Sequence, residues 1–305
     1  MTAPATADFP TFDTLLYDEP RKGVARIRLN RPDKRNAQNM HMTYELNTAF
    51  DFAVRQQHIK IIVLAATGPH FSSGHDLSGD DGKTWRDYPI LGTWANFDMP
   101  GAEGRYAREM EIYLEITERW RNLSKPIVAA VQGKCVTGGL MLAWCSDIIV
   151  ASDDAKFICT STKMGGTGVE FWAYPWEIGP RRAKLWMLSG ELSAQKAEDY
   201  GMVNEVVPRD QLEKHALDLA ERLCSHTSWT LNMTKTAVNH MQDSMGRRTS
   251  MQYAFAVHQL GHAHRVLVHG AAIDPNTLPD NIRAHFDKRP ARAGDPDKKA
   301  AGAKG

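Results

Sequence analysis

Residues 125–152 read KPIVAAVQGKCVTGGLMLAWCSDIIVAS, and this stretch decides the fold. Pro126 to Val131 is a short apolar run bounded by turn formers, which reads as a buried strand. Thr137 to Asp147 opens on Gly138-Gly139 and continues as an apolar helix, and Ile148 to Ala151 is strand again. Strand, tight turn, helix and strand at such short spacing mark an α/β chain.

The same punctuation extends to both sides. Gly23 to Asn30 alternates, with Ala25, Ile27 and Leu29 on one face and Arg26 and Arg28 on the other, the period of a half-buried strand. Residues 41 to 57 place Leu46, Phe50 and Ala53 at helical spacing, and Ile59 to Ala66 follows as a buried strand. Ser193 caps a helix that ends at Gly201, and a strand from Met202 to Val207 stops at Pro208. Beyond Arg209 the pattern is helical only, and no internal repeat is present.

Composition excludes several classes of function. A chain of 305 residues can bury a large core without metal or disulfide staples. With 37 basic and 36 acidic residues the net charge is +1, too balanced for a phosphate-tracking surface, so nucleic acid is not expected as a partner. Ile61 to Ala66 and Leu140 to Cys145 are the longest purely apolar runs, both far below the ~20 residues a membrane span needs. The mean hydropathy is −0.43, and no membrane association is expected. The opening residues carry no basic cluster and no apolar core of a targeting peptide, which makes the cytoplasm the default compartment. Cys135, Cys145, Cys159 and Cys224 lack CxxC spacing and read as reduced structural thiols.

Several local features have a simpler reading beside the functional one. Gly79 to Thr84 resembles a phosphate loop, but it has two residues between its glycines where four are required, and it is acidic. His258, His262 and His269 share one face of a helix. A metal there would need a carboxylate or thiol from elsewhere, so a solvated or interfacial histidine face is expected, and no metal. Ser78 to Arg105 combines many Gly and Pro breakers with Trp85, Tyr88, Trp94 and Phe97, as a lid or binding loop does. Lys288 to Gly305 holds six basic residues and two acidic ones with no large apolar side chain, the composition of a disordered tail.

Two glycine-bearing turns are the most informative. Pro69-His70-Phe71-Ser72-Ser73-Gly74-His75-Asp76-Leu77 follows one buried strand, and Gly133-Lys134-Cys135-Val136-Thr137-Gly138-Gly139-Leu140 joins another to a helix. Each can aim a backbone N–H outward, and the second does so at a helix N-terminus, where the dipole favours an anion. Two such donors converging on one oxygen would form an oxyanion hole, though on spacing alone ordinary tight turns are the preferred reading.

Taken in order, Asn30-Arg31-Pro32-Asp33-Lys34-Arg35-Asn36-Ala37, Phe71 to Leu77, Lys125 to Gly133 with Thr137-Gly138-Gly139, Ser146 to Ala151, and Ser189-Gly190 through Pro208 resemble the crotonase (enoyl-CoA hydratase/isomerase) superfamily. The likeness spans about residues 12 to 290. It implies a ββα spiral core over 10–208, a C-terminal helical trimerisation region over 209–287 and the basic tail of 288–305. It also implies homotrimers that commonly pair as hexamers, an acyl-CoA thioester substrate, and no cofactor beyond the coenzyme A carried by that substrate.

By position, the resemblance gives the oxyanion donors as the amides of His75 and Gly138. It places Lys34, Arg35 and Ala37 along the coenzyme, and Ser73, Asp76 and Leu77 near its adenine and pantetheine. Phe286 and Lys288 match a C-terminal element that in relatives reaches a nucleotide. The two glutamates that hydratases of this family use to add water would fall at Met141 and Ser161, so neither carboxylate is present. Lys156 to Gly165 is similar to dihydroxynaphthoyl-CoA synthases, in which a small residue replaces the second glutamate and bicarbonate can supply the base. Their later catalytic aspartate is matched by Gly168.

Glu170 is therefore the leading acid/base candidate, with Tyr174 second and Asp80 and Asp81 behind them. Trp85, Trp94, Phe171, Trp172, Tyr174 and Trp176 fall in the segments expected around the acyl end and point to a bulky or cyclic acyl group. The expected activity is of the enoyl-CoA hydratase or isomerase type. Its alternatives are another enolate reaction such as isomerisation or ring-opening hydrolysis, and acyl-CoA binding without catalysis.

Overall fold

The computed structural model describes residues 9–78, 85–91, 97–164, 166, 172–273 and 277. The chain opens with β1 (Leu15–Arg21), β2 (Val24–Leu29), α1 (Met40–Arg55) and β3 (Ile61–Ala66). A second stretch carries α2 (Ala102–Glu109), a π-helical turn (Met110–Glu115) and α3 (Ile116–Arg121). Next come β4 (Ile127–Val131), β5 (Lys134–Val136), α4 (Gly138–Trp144), β6 (Ile148–Ser152) and β7 (Lys156–Ile158). They are followed by α5 (Tyr174–Glu177), α6 (Pro180–Ser189), β8 (Glu191–Ser193), α7 (Ala194–Asp199) and β9 (Glu205–Val207). The helices α8 (Leu212–Leu223), α9 (Ser228–Ser244) and α10 (Arg247–His269) complete it.

A large sheet orders its strands β1-β2-β3-β4-β6-β9, and a small one β5-β7-β8. Only β1 is antiparallel to its neighbour in the large sheet, while β5 and β7 pair in parallel. The chain thus lays β4 in the large sheet, β5 in the small one and then α4. It repeats with β6 and β7, the winding of the expected spiral core. An isolated bridge between Ser72 and Cys135 adds the turn after β3 to the small sheet.

Alternation along the strands shows why they read as continuous apolar runs. Ile62, Leu64, Ile127 and Ala129 enter one core with α1 and α4, whereas Ile61, Val63, Val128 and Ala130 enter a second under α8. Parallel strands covered on both faces cannot alternate apolar with polar. The strand from Gly23 was expected to be half-buried, yet Arg26 is also buried, because Asp18 and Glu213 pair with its guanidinium. Met202 and Val203 pack in the core ahead of β9, which is shorter than expected. Ser193 caps α7 by accepting from the Lys196 N–H at 3.3 Å, and Gly201 takes φ +78°.

Cys135, Cys145 and Cys159 are buried thiols and Cys224 is partly buried, none of them bridged. Burial pushes the Cys145 thiol up to about 12. No helix among the described residues is long and apolar enough to cross a membrane. The histidine face of α10 departs from expectation: His269 is exposed, but the side chains of His258 and His262 are only 11% and 10% exposed and gather on Glu109 at the end of α2.

Candidate active site

The segment after β2 folds into a turn clamped against the segment after β3. Arg35 and Asn36 both take left-handed conformations (φ 53° and 52°), and Asn36 is fully buried. Its Oδ1 accepts the Arg31 N–H, while its Nδ2 donates to Thr67 and His70 carbonyls at 2.8 and 2.9 Å. Such a residue exchanges local strain for three hydrogen bonds that a buried turn otherwise lacks. The clamp carries Lys34 and Arg35 to the surface, while Ala37, Ser73, Asp76 and Leu77 are partly buried. Ser73 N–H donates to the Arg35 carbonyl at 3.0 Å.

The Asp76 carboxylate accepts from the Ser78 amide and hydroxyl and pairs with Arg31 at 3.0 Å. Burial opposes its charge, but these bonds outweigh burial and hold the carboxyl below the usual range. The side chain is therefore engaged in holding the clamp.

Gln38 fixes the first candidate donor. Its N–H donates to the Gly74 carbonyl at 2.8 Å and its carbonyl accepts from Asp76 at 2.7 Å, a parallel bridge with His75 between. In such a bridge the middle residue turns its own amide away from the partner strand, so the His75 N–H points away from Gln38. Gly74 adopts φ +91°, and a Cβ there would lie 3.0 Å from the Val136 carbonyl and 3.5 Å from the Gly138 nitrogen. Only glycine lets the two turns approach this closely.

The second candidate donor opens α4. Thr137, its cap, takes φ 39° and ψ −93°, a conformation that costs a non-glycine residue of order 1–3 kcal/mol. Strand β7 holds it there: the Thr137 N–H donates to Ile158 at 2.9 Å, and its hydroxyl lies 2.7 Å from that of Thr160. The buried Gln38 side chain donates to the Gly138 carbonyl at 2.7 Å. One glutamine thus ties both turns, which sequence reading did not single out.

Met141, one turn into α4, is buried, and Ser161 follows Thr160 and is also buried. Met141 and Ser161, the two positions that the resemblance sets for hydratase glutamates, therefore both lie near the N-terminus of α4. Tyr174 is buried in an aromatic cluster, edge-on to Trp144 at 4.9 Å and Trp186 at 5.0 Å, with Trp172 at 5.9 Å. Trp85 lies under the Arg108 guanidinium at 4.7 Å and donates to Asp98 at 3.2 Å, contacts within its own loop and α2. Glu170, Trp94, Phe286, Lys288, Asp80, Asp81, Phe171 and Gly168, with residues 288–305, lie outside the described residues.

Two more residues escaped sequence reading. Tyr113, on the π-helical turn, packs its ring 4.7 Å from that of His75, and π-bulges recur at functional sites. Glu177, at the end of α5, is a partly buried carboxyl that burial raises to about 8, against the opposing pull of the Trp144 indole, Arg121 and Arg247.

A family model described as enoyl-CoA hydratase/isomerase matches residues 19–93 and 97–266. EchA13 of Mycobacterium tuberculosis, described as a candidate enoyl-CoA hydratase, is 37% identical over 291 residues, covering 92% of this chain and 91% of that one. The 1,2-epoxyphenylacetyl-CoA isomerase of Escherichia coli is 30% identical over 226 residues, 72% of this chain and 79% of its own. A solved structure from Mycobacterium smegmatis, also described as a candidate enoyl-CoA hydratase, superposes with a TM-score of 0.76 at 38% identity, covering 86% of this chain and 99% of that one.

Proposed function

The chain belongs to the enoyl-CoA hydratase/isomerase family, and from that premise we propose that it polarises the carbonyl of a bulky or cyclic acyl-CoA thioester between the amides of His75 and Gly138. The observation that carries this reading is the joint held by Gln38, which fixes the Gly74–His75 turn through its backbone and Gly138 through its side chain. Preorganised donors cost nothing to align as negative charge develops on the thioester oxygen, and losing one typically costs ~10²–10³ in rate. The coenzyme would run past Lys34 and Arg35, exposed cations beside the donors, with Ala37, Ser73 and Leu77 along its path.

With Met141 and Ser161 at the glutamate positions, two-carboxylate hydration lacks its acid and base. Glu170 is our candidate for the proton transfer at Cα or Cβ. The helix α4 places Trp144 about 9 Å along its axis from Gly138, and Glu177 ends α5, whose first residue Tyr174 packs edge-on to that indole at 4.9 Å. Such a position suits a polar group at the far end of an acyl chain.

Isomerisation is the second reading. The Escherichia coli relative favours it, being named as an isomerase that acts on an aromatic CoA ester. Exposed apolar side chains on α9 and α10, including Trp229, Met241, Tyr253 and Leu260, support a homotrimer.

A panel of CoA esters tests the proposal. Turnover of aromatic or alicyclic esters above crotonyl-CoA is expected. Crotonyl-CoA as the best substrate would overturn the bulky acyl group. A CoA ester that raises the melting temperature with no turnover of any panel member would favour a binding protein.

A further inference from the structure

The helix α10 carries His258 and His262 four residues apart, so both imidazoles project from one face. Sequence reading stopped there for want of a carboxylate. The fold supplies one from far away in the chain: Glu109, the last residue of α2. Its Oε2 lies 3.3 Å from the Nε2 of His258 and 3.5 Å from the Nε2 of His262. One ligand atom from each of the three lies within 4.8 Å of the others.

These separations match a metal polyhedron better than an ion pair. Four ligands at ~2.1 Å from a tetrahedral centre stand ~3.4 Å apart, the edge the glutamate oxygen makes with each histidine nitrogen. Neither ring nitrogen of His258 makes a hydrogen bond among the described residues, although both are buried. A buried imidazole that approaches a carboxylate without bonding to it is an exception that calls for a missing partner.

The surroundings orient the ligands. His262 Nδ1 lies 2.8 Å from the Ala272 carbonyl, which can only accept, and 3.1 Å from Arg265 Nη2, which can only donate, so these contacts hold the ring through Nδ1 and leave its Nε2 facing Glu109. Arg265 donates from Nε to the same carbonyl at 2.6 Å. Gln259 donates to Glu109 at 2.7 Å. The other three-residue group, Asp13, His41 and Glu45, differs: Glu45 already accepts the Asp13 and Thr14 amides and the Thr14 hydroxyl.

We propose that Glu109, His258 and His262 form a binding site for a divalent transition-metal ion of the zinc class, with water at the fourth position. Two imidazoles and one carboxylate suit zinc and its neighbours rather than magnesium or calcium, which take oxygen ligands. The bound ion would tie α10 to α2, and so to the π-helical turn that carries Tyr113 against His75.

Tag-free full-length protein, stripped with chelator and then titrated with zinc, tests this by calorimetry, melting temperature and metal content. One zinc per chain and a raised melting temperature are expected. Cobalt substituted for zinc should give the visible absorption of four-coordinate cobalt with nitrogen and oxygen ligands. His258→Ala and Glu109→Gln should each weaken zinc binding by more than the ~10–100-fold that losing an outer-shell partner costs, while His269→Ala on the same helix leaves it unchanged. Unaltered affinity in a folded His258→Ala chain would overturn the site. If the variants do not fold, the wild-type chain decides: absence of saturable zinc binding, or an octahedral cobalt spectrum, would equally overturn it.

Discussion

The imidazole of His75 lies across the α-carbon of Gly138. A Cβ built at Gly138 would come within 2.7 to 2.9 Å of three ring atoms, although the backbone there is ordinary helix. Conformational freedom is therefore not what position 138 needs. It needs the absence of a side chain, so that the two turns carrying the proposed donors can close on each other.

Replacing Gly138 by alanine separates catalysis from stability. Alanine is the better helix former by about 1 kcal/mol, so α4 gains intrinsically. The ring of His75 must nevertheless move, and the expected cost to activity is that the turn carrying its amide shifts with it. We expect kcat/KM on the preferred CoA ester to fall by ~10²–10³ while circular dichroism shows a folded chain. Wild-type turnover in Gly138→Ala would remove these amides from the mechanism.

Gln38 predicts a different balance. Gln38→Leu removes the donor to the Gly138 carbonyl and leaves that group unpaired in a buried site, at a cost of ~1–3 kcal/mol. The unfolding free energy should fall by that amount, read as a lower denaturation midpoint with an unchanged slope. A midpoint within error of wild type would mean that the joint between the turns is not held by this side chain.

Arg247 is fully buried, bidentate to Glu118 at 2.7 Å and paired with Asp243 at 2.7 Å. Removing one member of such a group leaves an uncompensated buried charge, worth ~3–5 kcal/mol, whereas removing both members is far milder. Urea unfolding of Arg247→Met should show the large loss. Adding Glu118→Gln to it should restore most of the stability, and an additive double variant would contradict the coupling.

The same residues show what a sequence makes legible. The strands β3, β4 and β6 and the helix α4 were readable because both faces of each strand are buried, which leaves runs such as Ile61 to Ala66 without polar interruption. The two turns that carry the proposed donors stand out in the sequence because Gly74 and Gly138 are glycines for steric reasons. Arg247 with Glu118, and Glu109 with its two histidines, were not, since each pair joins helices far apart in the chain and neither partner's neighbours record the other. Gln38 was hidden differently: its neighbours on the chain give no hint that its amide crosses to Gly138.

Glu177 makes stability depend on pH with a definite sign. Burial raises its carboxyl from 4.5 to about 8, and the Trp144 indole, Arg121 and Arg247 only partly oppose this. The folded chain therefore keeps a proton that the unfolded chain releases as the pH climbs from 4.5 to about 8. Its contribution is fully present below that window and is lost as the pH rises through it, with a slope of at most one proton. Glu177→Gln mimics the protonated carboxyl at every pH and removes the slope. Melting temperatures of both proteins across the window should diverge upward with pH, the variant becoming the more stable. A constant difference would show that the carboxyl ionises as freely in the folded chain as in the unfolded one, and with it would go the case for a neutral acid at the far end of α4.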